Sequence, residues 1–282
     1  MVRARADLHT HSAASDGSDT PTELVRAADE MQLGGIGLTD HDSLDGIREF
    51  MDATASDDLR RVPGVEISTE FNSAEAHILG YFVPHDSKQL NDRLEHLRKG
   101  RHDRLPKMIQ KLNDLGIDVS IEELYKELEG VSSPGRPHVA LLLVKKGVVK
   151  STREAFDKYI AFDRPAFVKK VRMQTFDAVR LLKTIRAIPV LAHPLTIKTH
   201  DLRTLIEDLM TVGLLGVEVD YDYRFMGTHR TPDEVSEVIK GLEVIQTGGS
   251  DYHGAIHYTE LGSITVPVEV IDELEKIRSE FT

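Results

Sequence analysis

The 282-residue chain has no cysteine and no tryptophan, and aromatic residues make up only 6% of it. Without thiols there are no disulfides and no thiolate metal ligands. Any bound metal must therefore be held by His, Asp and Glu, a donor set that suits Mn, Fe or Zn. No apolar run approaches the roughly 20 residues needed to cross a bilayer, and the first residues lack an apolar signal core. Together these absences predict a soluble, cytoplasmic protein. Positive charge is scarce as well. Against 47 Asp and Glu stand 35 Lys and Arg, a formal charge of −12. That balance argues against a large nucleic-acid surface but leaves room for a small nucleotide or a strand end held by metal ions.

Histidine, by contrast, is plentiful, with 13 in the chain. His9 and His11 stand two apart at the end of Ala4–Leu8, a run that reads as a short strand. Strand side chains repeat with period two, so both imidazoles project from one face. Asp16, in the loop behind them, adds a carboxylate. Alone, a His-x-His is as readily a solvated loop as a metal grip; its partners elsewhere in the chain decide.

Elements alternate along the chain, which is the α/β signature. Thr20-Pro21-Thr22-Glu23 reads as a capped helix start. Ile36–Thr39 reads as a buried strand running into Asp40-His41-Asp42, and Ser43–Ala55 as a helix. Arg61–Ser68 is a strand carrying Glu66, and Ala76–Phe82 another carrying His77, each in a βα-type unit. From Ser87 to Arg164 the alternation lapses into helices over Leu90–Leu115, Ser120–Leu128 and Arg136–Lys146. Alternation resumes with a strand ending at His193, a strand over Gly216–Val219, and Leu242–Thr247 running towards Asp251 and His253. Residues 1–86 and 165–282 are thus expected to form a barrel, with 87–164 a helical insertion capping it.

In a barrel of parallel strands the C-terminal ends meet at one rim, where active sites form. His9, His11, Asp16, His41, Glu66, His77, His193, Asp251 and His253 all fall in strand-to-loop positions, so residues distant in sequence would converge there. His85, His96, His102, His138, His200, His229 and His257 read as surface or hydrogen-bonded histidines, with His138 and His229 left open.

The ordered set His9-x-His11 with Ser15-Asp16-Gly17, Thr39–Asp42, Pro63–Ser68, Ala76–Tyr81, Ala192-His193-Pro194 and Gly249–His253 resembles the PHP (polymerase and histidinol phosphatase) phosphoesterases. The resemblance spans nearly the whole chain, including Gly135-Arg136-Pro137-His138. It is strongest for the subgroup that hydrolyses phosphates from nucleotides, including nucleoside 3′,5′-bisphosphates and 5′ ends of short RNA. It implies a distorted seven-stranded (β/α) barrel holding two to three divalent metal ions. By the same resemblance, His9, His11, Glu66 and Asp251 would hold one ion, and Glu66 would bridge to a second held with His77 and His193. Asp16, His41 and His253 would hold a third. Asp7 and Asp42 would orient ligating imidazoles.

Such ions lower the pKa of bound water and clamp attacking and leaving oxygens. The implied reaction is direct attack of a metal-bridging hydroxide on phosphorus, with Glu66, Asp251, His253 and Arg136 as the residues carrying it. Phosphate also needs fixed donors. Arg136 offers a bidentate fork; Lys169 (or Lys170), Ser12 and His229 are further candidates. Tyr221, Tyr223 and Phe225 could stack a base or pack the rim. The expected activity is phosphate release from a small nucleotide such as a nucleoside 3′,5′-bisphosphate or AMP. Alternatives are a 5′→3′ exoribonuclease acting on short RNA, a histidinol-phosphate-type phosphatase, and a non-catalytic metal-binding module. Asp16 and the Arg-bearing insertion count against the histidinol-phosphate reading, and the full set of nine ligand positions against the inert one.

Overall fold

The computed structural model describes residues 3–128, 131, 133–226, 229–256 and 259–281. The chain runs β1 (Arg5–Thr10), α1 (Pro21–Glu30), β2 (Gly35–Leu38), α2 (Ile47–Asp52), β3 (Arg60–Phe71) and β4 (Ala74–Tyr81). Four helices follow, α3 (Lys88–Asp114), α4 (Ile121–Glu127), α5 (Arg136–Lys145) and α6 (Thr152–Ala155), the last continuing into a π-helical turn at Phe156–Ile160. Then come β5 (Met173–Gln174), α7 (Thr175–Thr184), β6 (Ile188–Leu191), α8 (Leu202–Thr211), β7 (Gly216–Asp220) and α9 (Pro232–Val238). The chain ends with β8 (Ile245–Gly248), β9 (Val266–Pro267) and α10 (Glu269–Glu280).

The strands form one sheet in the order β8-β7-β6-β4-β3-β2-β1-β9, with β5 added beside β3. Closure comes at the rim, where the backbone of Asp251 donates to His9 O and that of His11 to Tyr252 O, at 2.9 and 2.8 Å. The segment leaving β8 is thereby laced to the end of β1, which makes the sheet a nearly closed barrel. Neighbours pair in parallel except β4, which is antiparallel to both β3 and β6, and the short β9, which is antiparallel to β1. The expected βα unit at this point is instead a hairpin, turned at Asn72 and Ser73, both with positive φ. Because β4 runs backwards, its N-terminal part lies at the rim, and that is where His77 sits.

Alternation sorts the strand side chains into two cores. Ile188, Val190 and Ala192 join Leu8, Leu79 and Tyr81 inside the barrel, closed below by Ile271 and Leu274 of α10. Leu191, Ile78 and Ile67 face outward onto α7 and α8. Helix α1 begins as expected, with a capping box between Thr20 and Glu23 and Pro21 in its first turn. Helix α2 starts at Ile47 rather than Ser43, because the preceding residues are tied to the rim: Asp42 N donates to Glu66 O at 2.9 Å.

Helix α3 serves two cores. Leu90, Leu94 and Leu97 pack on the outer face of the barrel, while Leu105, Met108, Ile109 and Leu112 pack with α4, α5 and α6 in a separate cluster. Gly100 marks the crossover, where a Cβ would meet Val171 at 2.6 Å. Arg101 and Arg104 follow it, both buried.

Candidate metal centre and active site

Glu66 is the hub of the rim. Its Oε1 lies 2.7 Å from His77 Nδ1 and 3.0 Å from His193 Nε2. Its Oε2 lies 3.0 Å from His41 Nδ1, 3.3 Å from His11 Nε2 and 3.5 Å from His9 Nε2. Asp251 Oδ1 stands 3.0 Å from His11 Nε2 and 3.4 Å from His9 Nε2. His253 Nε2 is 3.5 Å from Asp16 Oδ1, and its ring stacks on His11 with centroids 4.1 Å apart. All nine expected side chains meet in this one place.

They fall into groups whose donor atoms lie within 4.8 Å of one another: His9, His11, Glu66 and Asp251; His11, Asp16, His41 and His253; and His41, Glu66 and His77. The first group is the one expected. The others differ in detail, with His11 joining the Asp16 group and His41 lying beside Glu66 and His77, while His193 reaches Glu66 on its own.

The donors fit divalent cations. His9 Nε2, His11 Nδ1 and Nε2, Asp16 Oδ1, His41 Nδ1 and Glu66 Oε2 are buried with no hydrogen-bond partner. One such buried atom costs about 1–3 kcal/mol, so six in one cluster would be a heavy penalty unless cations satisfy them. Burial by itself would raise the Glu66 carboxyl, but the imidazoles of His41, His77 and His9 overcome this and hold it well below the usual carboxylate range. Asp16 and Asp251 are held low in the same way by their histidine neighbours, against burial. Three ionised carboxylates among six imidazoles form a set built to receive positive charge.

Backbone strain accompanies the cluster. Asp42, His193 and Asp251 have φ of 52°, 27° and 52°, a region that residues other than glycine seldom occupy. Each is pinned through its amide: Asp42 to Glu66 O, Asp251 to His9 O, and His193 to Glu218 Oε2 at 2.7 Å.

The expected orienting roles of Asp7 and Asp42 are not what the structure shows. Asp7 accepts from Ser250 N and Oγ and from Gly262 N, so it fastens the loop that carries Asp251. Burial raises its pKa to about 6 despite these donors. Asp42 accepts from Ser68 N and Oγ and from Arg101 Nε. Imidazoles are oriented instead by Glu218, fully buried, whose Oε1 lies 2.8 Å from His9 Nδ1. Thr196 Oγ1 (3.1 Å from His193 Nδ1) and Asp251 O (2.8 Å from His253 Nδ1) act alike. Glu218 escaped sequence reading; its only signal was a carboxylate between two valines in a buried strand.

Beside the cluster lies a cavity of about 280 Å³, lined by Asp16, Glu66, Asp251, Tyr221 and Phe156 and by the basic side chains Arg101, Arg104, Arg136 and Lys170. Arg136 is where the sequence placed it. Its guanidinium lies 5.6 Å from the Phe156 ring centre and 5.9 Å from that of Phe167. Lys169 is not at the cavity. It is over half exposed and pairs with Glu70 at 2.9 Å, whereas Lys170 points inward, donating to Ser68 Oγ at 2.9 Å. Ser12 caps its own loop, accepting from Ala14 N at 3.1 Å, and gives its hydroxyl to Asp40 at 2.7 Å. His229 is exposed and does not line the cavity. Tyr221 packs on His193 and donates to Asp251 Oδ2 at 3.0 Å, and Tyr223 packs against Tyr221. His138 Nδ1 accepts from Gly135 N, a structural task. The Phe225 side chain and His257 lie outside the described residues. Arg101 and Arg104 were also missed, since arginines within a charged helix carry no positional signal.

A sequence profile for the PHP domain matches residues 7–162. The chain is 31% identical over 257 residues to a 3′,5′-nucleoside bisphosphate phosphatase of Chromobacterium violaceum, covering 89% of this chain and 87% of that protein. It is 30% identical over 261 residues to a 5′-3′ exoribonuclease of Haemophilus influenzae, covering 91% of this chain and 92% of the other. A solved structure from Bifidobacterium adolescentis superposes with a TM-score of 0.87 over 96% of both chains at 22% identity, a likeness of fold. No helix among the described residues is long and apolar enough to cross a membrane.

Proposed function

The chain belongs to the PHP-domain family, and from that premise we propose that it is a metal-dependent phosphoesterase releasing phosphate from a small nucleotide such as a nucleoside 3′,5′-bisphosphate or AMP. The observation that carries this reading is the juxtaposition of unpartnered, buried imidazole and carboxylate atoms with a basic wall across one small cavity. Two to three divalent ions, Mn, Fe or Zn, held by His9, His11, Asp16, His41, Glu66, His77, His193, Asp251 and His253, would lower the pKa of water and polarise a phosphoryl group.

The chain's own residues then have distinct tasks. Glu66, buried, and Asp251, partly buried, are both held ionised and would offset the positive charge of the ions. Asp251 is fixed by Tyr221 Oη and by its strained backbone. His253, stacked on His11, keeps Asp16 turned into the site. Arg136 presents a guanidinium to the phosphoryl oxygens, its plane braced by Phe156 and Phe167. Residues 87–164 serve as the cap that brings this basic wall to the rim. A cavity of about 280 Å³ is near the lower end of the roughly 300–1,000 Å³ of small-molecule sites, which favours a nucleotide over a polymer. The exoribonuclease reading is supported by the Haemophilus influenzae relative and remains the second choice, with a short 5′-phosphorylated RNA end as substrate.

The test is phosphate release from 3′-phosphoadenosine 5′-phosphate, AMP, histidinol phosphate and a 5′-phosphorylated oligoribonucleotide. It is run after chelation and after addition of Mn, Zn or Fe. Turnover of the two nucleotides only when metal is restored is the expected result. Full activity in chelated protein sinks the metal dependence, and release from histidinol phosphate alone sinks the nucleotide assignment.

A further inference from the structure

Basic side chains on the helical side of the cavity differ in what neutralises them. Arg101 is committed within the protein: Nε donates to Asp42 at 2.8 Å and Nη2 to Ser68 Oγ at 2.9 Å. Lys170 and Arg172 share Glu75, at 3.1 and 2.6 Å. Arg136 has no carboxylate ion-pair partner among the described residues but rests on two aromatic rings. Arg104 has neither. It is 4% exposed, lines the cavity, makes no hydrogen bond or ion pair with any described residue, and its Nε is buried without a partner.

An unpaired buried guanidinium is among the costlier things a fold can retain. The nearby carboxylates Glu75 and Asp16 favour its charge but do not outweigh burial and the neighbouring cations. Glu75 is already divided between Lys170 and Arg172, and Asp16 stands 3.5 Å from His253 and 3.8 Å from Arg101. Burial, with Arg101 and Arg136 close by, pushes the Arg104 guanidinium down to about 9, so the free protein disfavours the charge it carries. An anion in the cavity would reverse that.

We infer that Arg104 is a receptor for the substrate's phosphoryl oxygens, a guanidinium that no described residue pairs and that stands open to an incoming phosphate. The inference rests on the phosphoesterase reading and adds a recognition residue to it. Planar guanidinium donors match two oxygens of a tetrahedral phosphoryl group at once. Arg104 and Arg136 would thus grip the group from the helical side while the strand-end cluster faces it from the barrel.

The test compares wild type, Arg104→Gln and Arg104→Lys as metal-loaded proteins. Calorimetry gives the Kd for inorganic phosphate, and a thermal scan gives the Tm without ligand. Arg104→Gln should weaken phosphate binding by roughly 10- to 100-fold, and Arg104→Lys should recover part of the loss. The ligand-free Tm of Arg104→Gln should hold or rise, because an unpaired buried charge has gone. An unchanged phosphate Kd overturns the assignment. So does a weaker Kd that comes with a lower ligand-free Tm, the signature of an arginine needed for structure. Phosphate binding is read apart from turnover. A protein that cleaves none of the phosphate esters yet loses phosphate affinity in Arg104→Gln would refute the phosphoesterase reading and leave Arg104 standing as an anion receptor.

Discussion

On the barrel side of the cavity, imidazoles and carboxylates sit at the rim, most just past strand ends and Glu66 and His77 within β3 and β4. Many lie within about 3.5 Å of a neighbour, on backbone tied across the rim by hydrogen bonds. On the other side, Arg101 and Arg104 come from α3 and Arg136 from the start of α5. Those cations are placed by side-chain pairing and by packing in a separate apolar cluster. The strand-end wall concentrates donors that like cations. The helical wall concentrates cations that like anions. A phosphate ester bridging metal ions and guanidinium groups satisfies both, whereas either wall alone would suit many ligands.

The sharpest way to break this contrast is at the strand-end hub. Glu66→Gln keeps the shape and removes the one carboxylate that touches five imidazoles. Turnover should fall by roughly three decades, several kcal/mol at about 1.4 kcal/mol per decade, and metal content per chain by elemental analysis should fall with it. Wild-type rates and metal content in this variant would detach the cluster from activity.

The two walls also differ in how far they could be read from sequence. Residues such as His9, His11, His193 and Asp251 announce themselves, because strand C-termini share a rim and a His or Asp there has few bland uses, whereas Glu66 and His77 lie within β3 and β4. All nine of the expected metal-binding side chains meet accordingly. The antiparallel course of β4 was hidden, since its pattern of alternating apolar residues is the same whichever way the strand runs. Helical cations were hidden for another reason. In Arg98-Lys99-Gly100-Arg101 and the residues after it, a dense run of charge masks which side chains turn inward. The interior faces of Arg101 and Arg104 depend on Gly100 letting Val171 approach, a contact no local pattern encodes.

Glu218 is the test of whether the strand-end wall needs support from behind. It reaches His9 with one oxygen and the backbone of His193 with the other. Glu218→Gln should preserve the fold and lower metal affinity about 10- to 100-fold, the usual cost of losing a group that orients a ligand. Competition against a chelator of known affinity measures this. Unchanged affinity would mean that the positive φ of His193 and the packing of its neighbours suffice to hold the imidazoles.

The smallest effect is expected where two adjacent lysines part company. Lys169 is over half exposed and pairs with Glu70, an arrangement worth about 0–1 kcal/mol at a surface. Lys170 is buried, bonded to Ser68 and Glu75 beside the cavity, and burial pushes its pKa down to about 8. Lys169→Ala should leave kcat and KM within about twofold of wild type, since screening makes so exposed a charge nearly neutral in effect. Lys170→Ala should raise KM measurably, because it frees Glu75 to compete for the cavity's arginines. Neighbouring residues in extended chain face opposite ways, so the pair measures which face of this segment meets the substrate. Equal losses in the two variants would mean that residues 169 and 170 both reach the cavity, and that the helical wall is broader than Arg101, Arg104, Arg136 and Lys170.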